Sequence, residues 1–374
     1  MLLIVVSLMS AKLLKNHTWN VHYHYFCTHT HQTAMTRRII IIIAALLLVA
    51  GAGAVFCFYR LFTTPVSVCE DYRIFITPDD TQESILAGIL ESDSDARTKA
   101  LDYLLKHREY NSHIHTGCYT ILSGATPKQV ADMLCSGAQT PVRLTINSTR
   151  TVGQMARAIA NQIMIDSTMI ASRLNDPSFL DSLGYSPATV FCMIIPNTYQ
   201  VYWNTSADAL ITRLVKERDR FWNQDRRDRA GRIGLTEQQV MTLASIVEEE
   251  TAKTDEMPIV AGLYMNRLQR NMLLQADPTV IFALGGERPK RVLKVHLEVD
   301  SPYNTYKYPG LPPAPIRFVS TRSIDAVLDY SKHNYLYMCA KEDFSGYHNF
   351  TSSLSQHNAN AARYQRALRN AGIR

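Results

Sequence analysis

The sequence predicts an α+β protein: a single N-terminal transmembrane helix, a small α+β module and then a larger mixed α+β domain. Three observations carry that expectation. Residues Ile39 to Tyr59 form an uncharged apolar run of 21 residues, long enough at 1.5 Å per residue to cross a bilayer core. Short strand-like pieces then alternate with amphipathic helices up to about Arg143. Beyond them one long segment, LTEQQVMTLASIVEEET from Leu235 to Thr251, carries the strongest helix signal in the chain. With 46% hydrophobic residues the chain can bury an ordinary core, and its net charge of +6 is scattered. No basic stripe with interleaved aromatics is present, which argues against a nucleic-acid surface.

Arg37 and Arg38 precede the apolar run and Arg60 follows it, with Lys12 and Lys15 further upstream. The positive-inside rule then puts the N-terminus in the cytoplasm and everything after Arg60 outside it. No convincing small-x-small cleavage site follows, so the run reads as an anchor. Residues 1–34 fit this scheme poorly. Met35-Thr36-Arg37-Arg38 is how a membrane-anchored chain usually begins, and residues 1–34 read as an over-extended start or a short cytoplasmic segment. The alternative there is a metal-binding tract of His22, His24, Cys27, His29 and His31. Cys69, Cys118, Cys135, Cys192 and Cys339 follow the anchor without CxxC spacing, so the sequence gives no disulfide framework.

Residues 61–143 read as the small module. Tyr72 to Ile76 is strand-like, Thr81 to Leu90 and Ala96 to Lys106 are helical, and Gly117 to Ile121 is again a strand. Thr126-Pro127 opens a helix that Gly137 ends, and Val142 to Ile146 is a further strand. Size and order resemble a LysM-like module, the type that binds aminosugar glycans; a spacer between membrane and main domain is the equal alternative.

Residues 144–374 form the main domain. A helix over Thr151 to Asn161 continues in a loosely apolar helical stretch to Leu183. Phe191 to Trp203 is rich in β-formers around a Pro-Asn turn. Ala207 to Asp228 reads as one charged, surface helix. In the segment from Leu235, Thr236 followed by Gln239 has the form of a capping box. Val240, Leu243, Ile246 and Val247 then share the buried face, and Glu250 lies on that same face. Glu249 falls with Thr242 and Ser245 on the polar side, and Glu248 sits between. A carboxyl group on a buried face loses solvent, which disfavours its ionised form and suits it to act as a general acid. The alternative is a helix that frays before Glu250, leaving three solvated glutamates.

Asp255 and Pro258 open a further helix through Leu268. In LLQADPTVIFALGG, Leu273 to Gly286, Asp277-Pro278 suits an N-cap followed by Pro at N1, and Gly285 suits the C-terminal stop. SPYNTYKYPGLPPAPI, Ser301 to Ile316, holds prolines that rule out a central strand. Its Tyr303, Asn304, Thr305 and Tyr306 set rings beside amide and hydroxyl groups, as a sugar-binding cleft needs; a packed surface loop explains the same residues. Ser323 to Tyr330 is helical and Tyr335 to Ala340 a strand. Gly346 to Phe350 reads as a turn into a final helix bearing His357 and Asn358.

Taken in order, ASIVEEET, the YxNRL helix (Tyr264, Asn266, Arg267, Leu268), QADPTVIFALG, SPYNTY with GLPP, YLYMCA and HNF with QHN resemble the MltG (YceG-like) family of endolytic murein transglycosylases. The likeness is close from Thr236 to Asn358. It implies that residues 144–374 are a catalytic domain that cuts the β-1,4 bond between N-acetylmuramic acid and N-acetylglucosamine within peptidoglycan strands, leaving 1,6-anhydro ends. The family's acid, the second glutamate of its E-x-E-T block, falls on Glu250. One acid serves both steps, first protonating the glycosidic oxygen and then taking the proton of the muramyl C6 hydroxyl. Gln275, Asp277, Thr279, Tyr303, Asn304, Thr305 and Tyr306 are the expected substrate contacts. No cofactor and no metal is implied; cell-wall synthases are the candidate protein partners. The chain departs from the family pattern at Asn197, where an acid is usual, at Ala314 and at Met338-Cys339. Two rivals stay open: a lysozyme-like hydrolase with Asp277 as second carboxylate, and a non-catalytic glycan-binding membrane protein in which Glu250 pairs with Arg267.

Overall fold

The computed structural model describes residues 35–66, 70–90, 95–285, 289 and 292–373. The histidine-rich tract, the reading of residues 1–34 and Cys69 lie outside the described residues. Helix α1, Met35–Thr63, has a mean hydropathy of 3.0 over its most apolar window and none of that window is covered by protein. This is compatible with a membrane anchor.

The chain divides into two compact units. Among the described residues the first comprises 35–66, 70–74, 78–90, 95–115 and Tyr119–Ala138. Strand β1 (Tyr72–Ile76) pairs with β2 (Gly117–Ile121), and between them run α2 (Gln82–Leu90) and α3 (Asp95–His107). Helix α4, Pro127–Ser136, starts from a complete capping box at Thr126 and stops at Gly137, whose φ of 67° is the left-handed conformation that glycine adopts at little cost. Leu101, Leu105, Val130 and Leu134 are buried in this unit.

The second unit holds the other described residues, including those from Gln139 onward. Strand β3 (Val142–Thr145) pairs antiparallel with β4 (Thr198–Val201), Val142 facing Val201. Around this ribbon pack α5 (Val152–Ala160), α6 (Ser167–Asn175), α7 (Pro177–Ser182) and α8 (Ala207–Phe221), with Leu144, Met155, Ile170 and Leu214 in a shared core. The charged helix expected over Ala207 to Asp228 is two helices. α8 stops at Phe221, Trp222 is buried, and Asn223 caps α9 (Gln224–Arg232) by accepting from Arg226 N. Burying the indole turns the chain, although no Gly or Pro marks the place.

A second core surrounds α10 (Glu237–Glu250), α11 (Met257–Gln269) and α13 (Thr321–Leu328). The Thr236–Gln239 capping box is complete, and α10 runs unfrayed to Glu250. The expected apolar face is buried, but so are Thr242 and Ser245, which lie on the face read as polar. Their hydroxyls donate to helix carbonyls, and Ser245 Oγ also accepts from Ile316 N. From Val240 to Val247 α10 is buried on every side. Gly262 on α11 lets the 331–333 segment lie against the helix, since a Cβ there would come within 2.2 Å of Ser331 O.

Helix α12 (Asp277–Ala283) follows, ending before Gly285 at φ 82°. Residues 301–316 form successive turns and no strand. The HNF segment, expected as a turn, is strand β6 (His348–Thr351), paired antiparallel with β5 (Tyr337–Ala340) so that His348 faces Ala340. The turn is earlier, at Gly346. α14, Leu354–Asn370, closes the chain and packs on this hairpin.

Candidate active site

Three consecutive glutamates end α10, and each has a different environment. Glu248 accepts from Ser148 Oγ at 2.6 Å, from Ser320 N at 2.8 Å and from Ser323 Oγ at 2.5 Å. Glu249, expected to be solvated, is instead 6% exposed and held between two arginines. Arg150 Nε and Nη2 reach its two oxygens at 2.6 and 3.0 Å, and Arg317 Nη1 donates at 2.6 Å. The segments carrying Ser148 and Arg150, and Arg317 and Ser320, cover the polar face of the helix, so both glutamates act as anchors between distant parts of the chain.

Glu250 has no such clamp. Its Oε1 accepts from the Tyr264 hydroxyl on α11 at 2.8 Å. Burial pushes its carboxyl up to about 7; the Tyr264 hydrogen bond opposes the rise, and the negative charges of Asp277 and Glu249 add to it. A carboxylic acid half protonated near neutrality is able to donate a proton and then take one back.

Arg267, three residues after Tyr264, is buried and spends its guanidinium on carbonyls. Nε donates to Leu336 O at 2.7 Å, and Nη1 to Leu273 O at 3.1 Å and Leu274 O at 2.9 Å. It acts on Glu250 through space, as a smaller downward pull. Nη1 also reaches Gln275 Oε1 at 3.3 Å. Gln275 holds a left-handed backbone at φ 52°, an uncommon state for a residue with a side chain, and its N–H donates to Thr305 O.

Asp277 does not cap α12. The N-cap position is Ala276, and the Asp277 carboxylate instead accepts from the Tyr306 hydroxyl at 2.6 Å. Burial and then this carboxylate push the Tyr306 phenol well up, so it stays protonated. The remaining loop residues divide. Tyr303 packs its ring on Phe282, with centroids 4.8 Å apart. Asn304, Thr305 and Thr279, expected as substrate contacts, are buried. Asn304 Nδ2 donates to Leu297 O and Val299 O, while Thr305 Oγ1 accepts from Ala276 N and meets Thr279 Oγ1 at 2.8 Å. Their hydrogen bonds build the loop and hold Asp277 and Tyr306 at its edge; their side chains are spent inside the protein.

Glu250, Gln275, Asp277 and Tyr306 come together on one cavity of about 430 Å³, which Arg267, Tyr337, His348 and His357 also line. Arg267 and Asn358 are cavity residues that sequence reasoning did not single out for this role. The available signal was Arg267 on the apolar face of α11, where a charge is out of pattern. Among the described residues no group of three or more His, Cys, Asp and Glu is arranged to hold a metal ion.

The YceG-like family profile matches residues 74–363, most of the chain. The chain belongs to the YceG-like family. It is 29% identical over 330 residues to a Bacillus subtilis (strain 168) protein named endolytic murein transglycosylase, covering 83% of this chain and 90% of that one. A Streptococcus pneumoniae (strain D39) protein of the same name is 32% identical over 151 residues, covering 39% of this chain and 27% of the relative. Among solved structures, a putative YceG-like protein from Listeria monocytogenes superposes with a TM-score of 0.51 at 28% identity, over 78% of this chain and 99% of that one. In this YceG-like chain the matched region includes the whole cavity.

Proposed function

We propose that this protein is a membrane-anchored endolytic lytic transglycosylase that cleaves the bond between N-acetylmuramic acid and N-acetylglucosamine within peptidoglycan strands. The single observation that carries this reading is Glu250: a carboxyl raised to about 7, hydrogen-bonded by Tyr264, opening on the cavity of a YceG-like domain. The names of the Bacillus and Streptococcus relatives support the same reaction class. Protonated Glu250 gives its proton to the glycosidic oxygen as the C1–O bond breaks through an oxocarbenium-like state. The muramyl C6 hydroxyl then closes onto C1. Its tether gives it a high effective concentration, so no carboxylate has to activate water. Gln275, Asp277 and Tyr306 are the residues we assign to substrate contact.

Residues 61–143 are, in this reading, a LysM-like glycan-binding module; the order β1, α2, α3, β2 is what supports it. α1 anchors the protein in the cytoplasmic membrane with its N-terminus inside and residues 61–374 outside, where cell-wall synthases are candidate partners. The test of the reaction class is mass spectrometry of uncrosslinked glycan strands after incubation with the full-length protein in detergent. Internal fragments with 1,6-anhydromuramic ends are expected. Free reducing ends would point to the hydrolase with Asp277 as second carboxylate, and intact strands to a glycan-binding protein.

A further inference from the structure

The cavity that Glu250 lines is also lined by a histidine, His348. His348, on β6, hydrogen-bonds through Nδ1 to Glu256 Oε2 at 2.9 Å, and its backbone N donates to Glu256 Oε1 at 2.8 Å. Glu256 stands just before α11 and is 4% exposed. Its Oε2 also accepts from Thr251 Oγ1 at 3.2 Å. That hydroxyl is itself the acceptor for Lys253 N at 3.0 Å, so its proton is directed to the carboxylate. Glu256 is thus an acceptor three times over, and the proton between it and His348 sits on Nδ1. The other ring nitrogen, Nε2, has no hydrogen-bond partner among the described residues and belongs to a ring that lines the cavity with Glu250. A carboxylate fixing one imidazole nitrogen so that the other works as a base is a general arrangement for moving protons.

Resting on the transglycosylase reading above, we infer that His348, oriented by Glu256, is the base that takes the proton of the muramyl C6 hydroxyl. Glu250 gives its proton to the departing O4 as C1–O4 breaks. O6 bonds to C1, and the O6 proton passes to His348 Nε2, giving an imidazolium beside the Glu256 carboxylate. Return of that proton to Glu250 through solvent restores both groups, so no proton is gained or lost over the cycle. The leaving oxygen and the C6 arm lie on the same face of the sugar ring, so two groups lining one cavity serve both. The titratable neighbours are Glu250 from α10, Tyr264 and Arg267 from α11, Asp277 from α12, Tyr337 from β5 and His357 from α14. Tyr306 lines the same cavity, and Lys253 and Asp255 flank the adjacent Tyr347.

The test is the pH dependence of kcat/KM for full-length protein in detergent on uncrosslinked glycan strands, read as 1,6-anhydro ends. The variants are His348→Gln, His348→Ala and Glu256→Gln. The wild type should give a bell, its acid limb set by His348 and its alkaline limb by Glu250. His348→Gln should lower kcat/KM by about 10²-fold or more and abolish the acid limb, as loss of a general base does. Added imidazole should restore part of the activity of His348→Ala, and Glu256→Gln should shift the acid limb. Thermal unfolding of each variant separates these effects from misfolding. A His348→Gln protein that keeps its acid limb, or a folded His348→Ala protein that imidazole does not help, would overturn the assignment. Failure of the wild type to form anhydro ends would be the failure of the transglycosylase reading itself.

Discussion

The Tyr264 hydroxyl donates to Glu250 Oε1 at 2.8 Å, joining the last residue of α10 to the middle of α11. The bond stabilises the ionised carboxylate and so restrains the upward pull of burial. Replacing Tyr264 by Phe removes that restraint. The pKa of Glu250 should rise, and the alkaline limb of the kcat/KM profile should move to higher pH, which a pH series on glycan strands will read.

Asp277 works in the opposite sense. Its negative charge adds to the rise at Glu250. Asp277→Asn should therefore lower the Glu250 pKa and draw the alkaline limb to lower pH. The products should keep their anhydro ends, whereas a hydrolase relying on Asp277 would lose nearly all turnover.

Glu250 also links stability to pH. Its folded pKa of about 7 lies above the ordinary value of 4.5, so the folded state binds more protons between those limits. Stability present below pH 4.5 is then lost as pH rises through about 7, on the order of 3 kcal/mol in total. Glu250→Gln has no charge to bury. Its melting temperature should exceed that of the wild type at pH 8, and the difference should shrink toward pH 5 in parallel thermal scans.

Glu249 predicts a loss of a different kind. Removing its charge takes away the shorter of the two ion pairs of Arg317, whose side chain is 10% exposed, and leaves it only the longer one to Glu248 at 3.6 Å. Glu249→Gln should cost about 3 kcal/mol, the low end for a broken buried ion pair because Arg150 remains half-exposed. Denaturant unfolding at pH 7 will measure it.

Gly262 sets the position of α11 and hence of Tyr264 and Arg267. A Cβ there meets Ser331 O at 2.2 Å, a backbone atom that yields only if the segment moves. Gly262→Ala should destabilise by about 1–3 kcal/mol and depress activity more than binding, which separate determinations of Tm, kcat and KM will resolve.

What sequence reasoning reached and what it missed follow from the range of the interactions. The capping box at Thr236 and the phase of Glu250 are local properties of one helix, and both stand as expected. The environments of Glu248 and Glu249 depend on partners about a hundred residues away, Ser148 and Arg150. Helical phase alone therefore put Glu249 in solvent. Asp277-Pro278 has the local signature of an N-cap, yet the Tyr306 hydroxyl 29 positions on competes for the carboxylate and wins. The loop over Ser301 to Ile316 was legible as irregular from its prolines. Which of its side chains face inward was not, because Asn304 and Thr305 bond to backbone groups of neighbouring segments. Likewise β6 exists because β5 is beside it, which no pattern within HNF reveals.

The most direct test of Glu250 as the acid is single-turnover cleavage of uncrosslinked glycan strands at pH 6 by full-length wild type and Glu250→Gln, with strand binding measured in parallel. The account predicts 1,6-anhydro ends from the wild type, and none from a variant that still folds and binds strands. Anhydro ends formed by the Glu250→Gln protein at a rate near that of the wild type would contradict it.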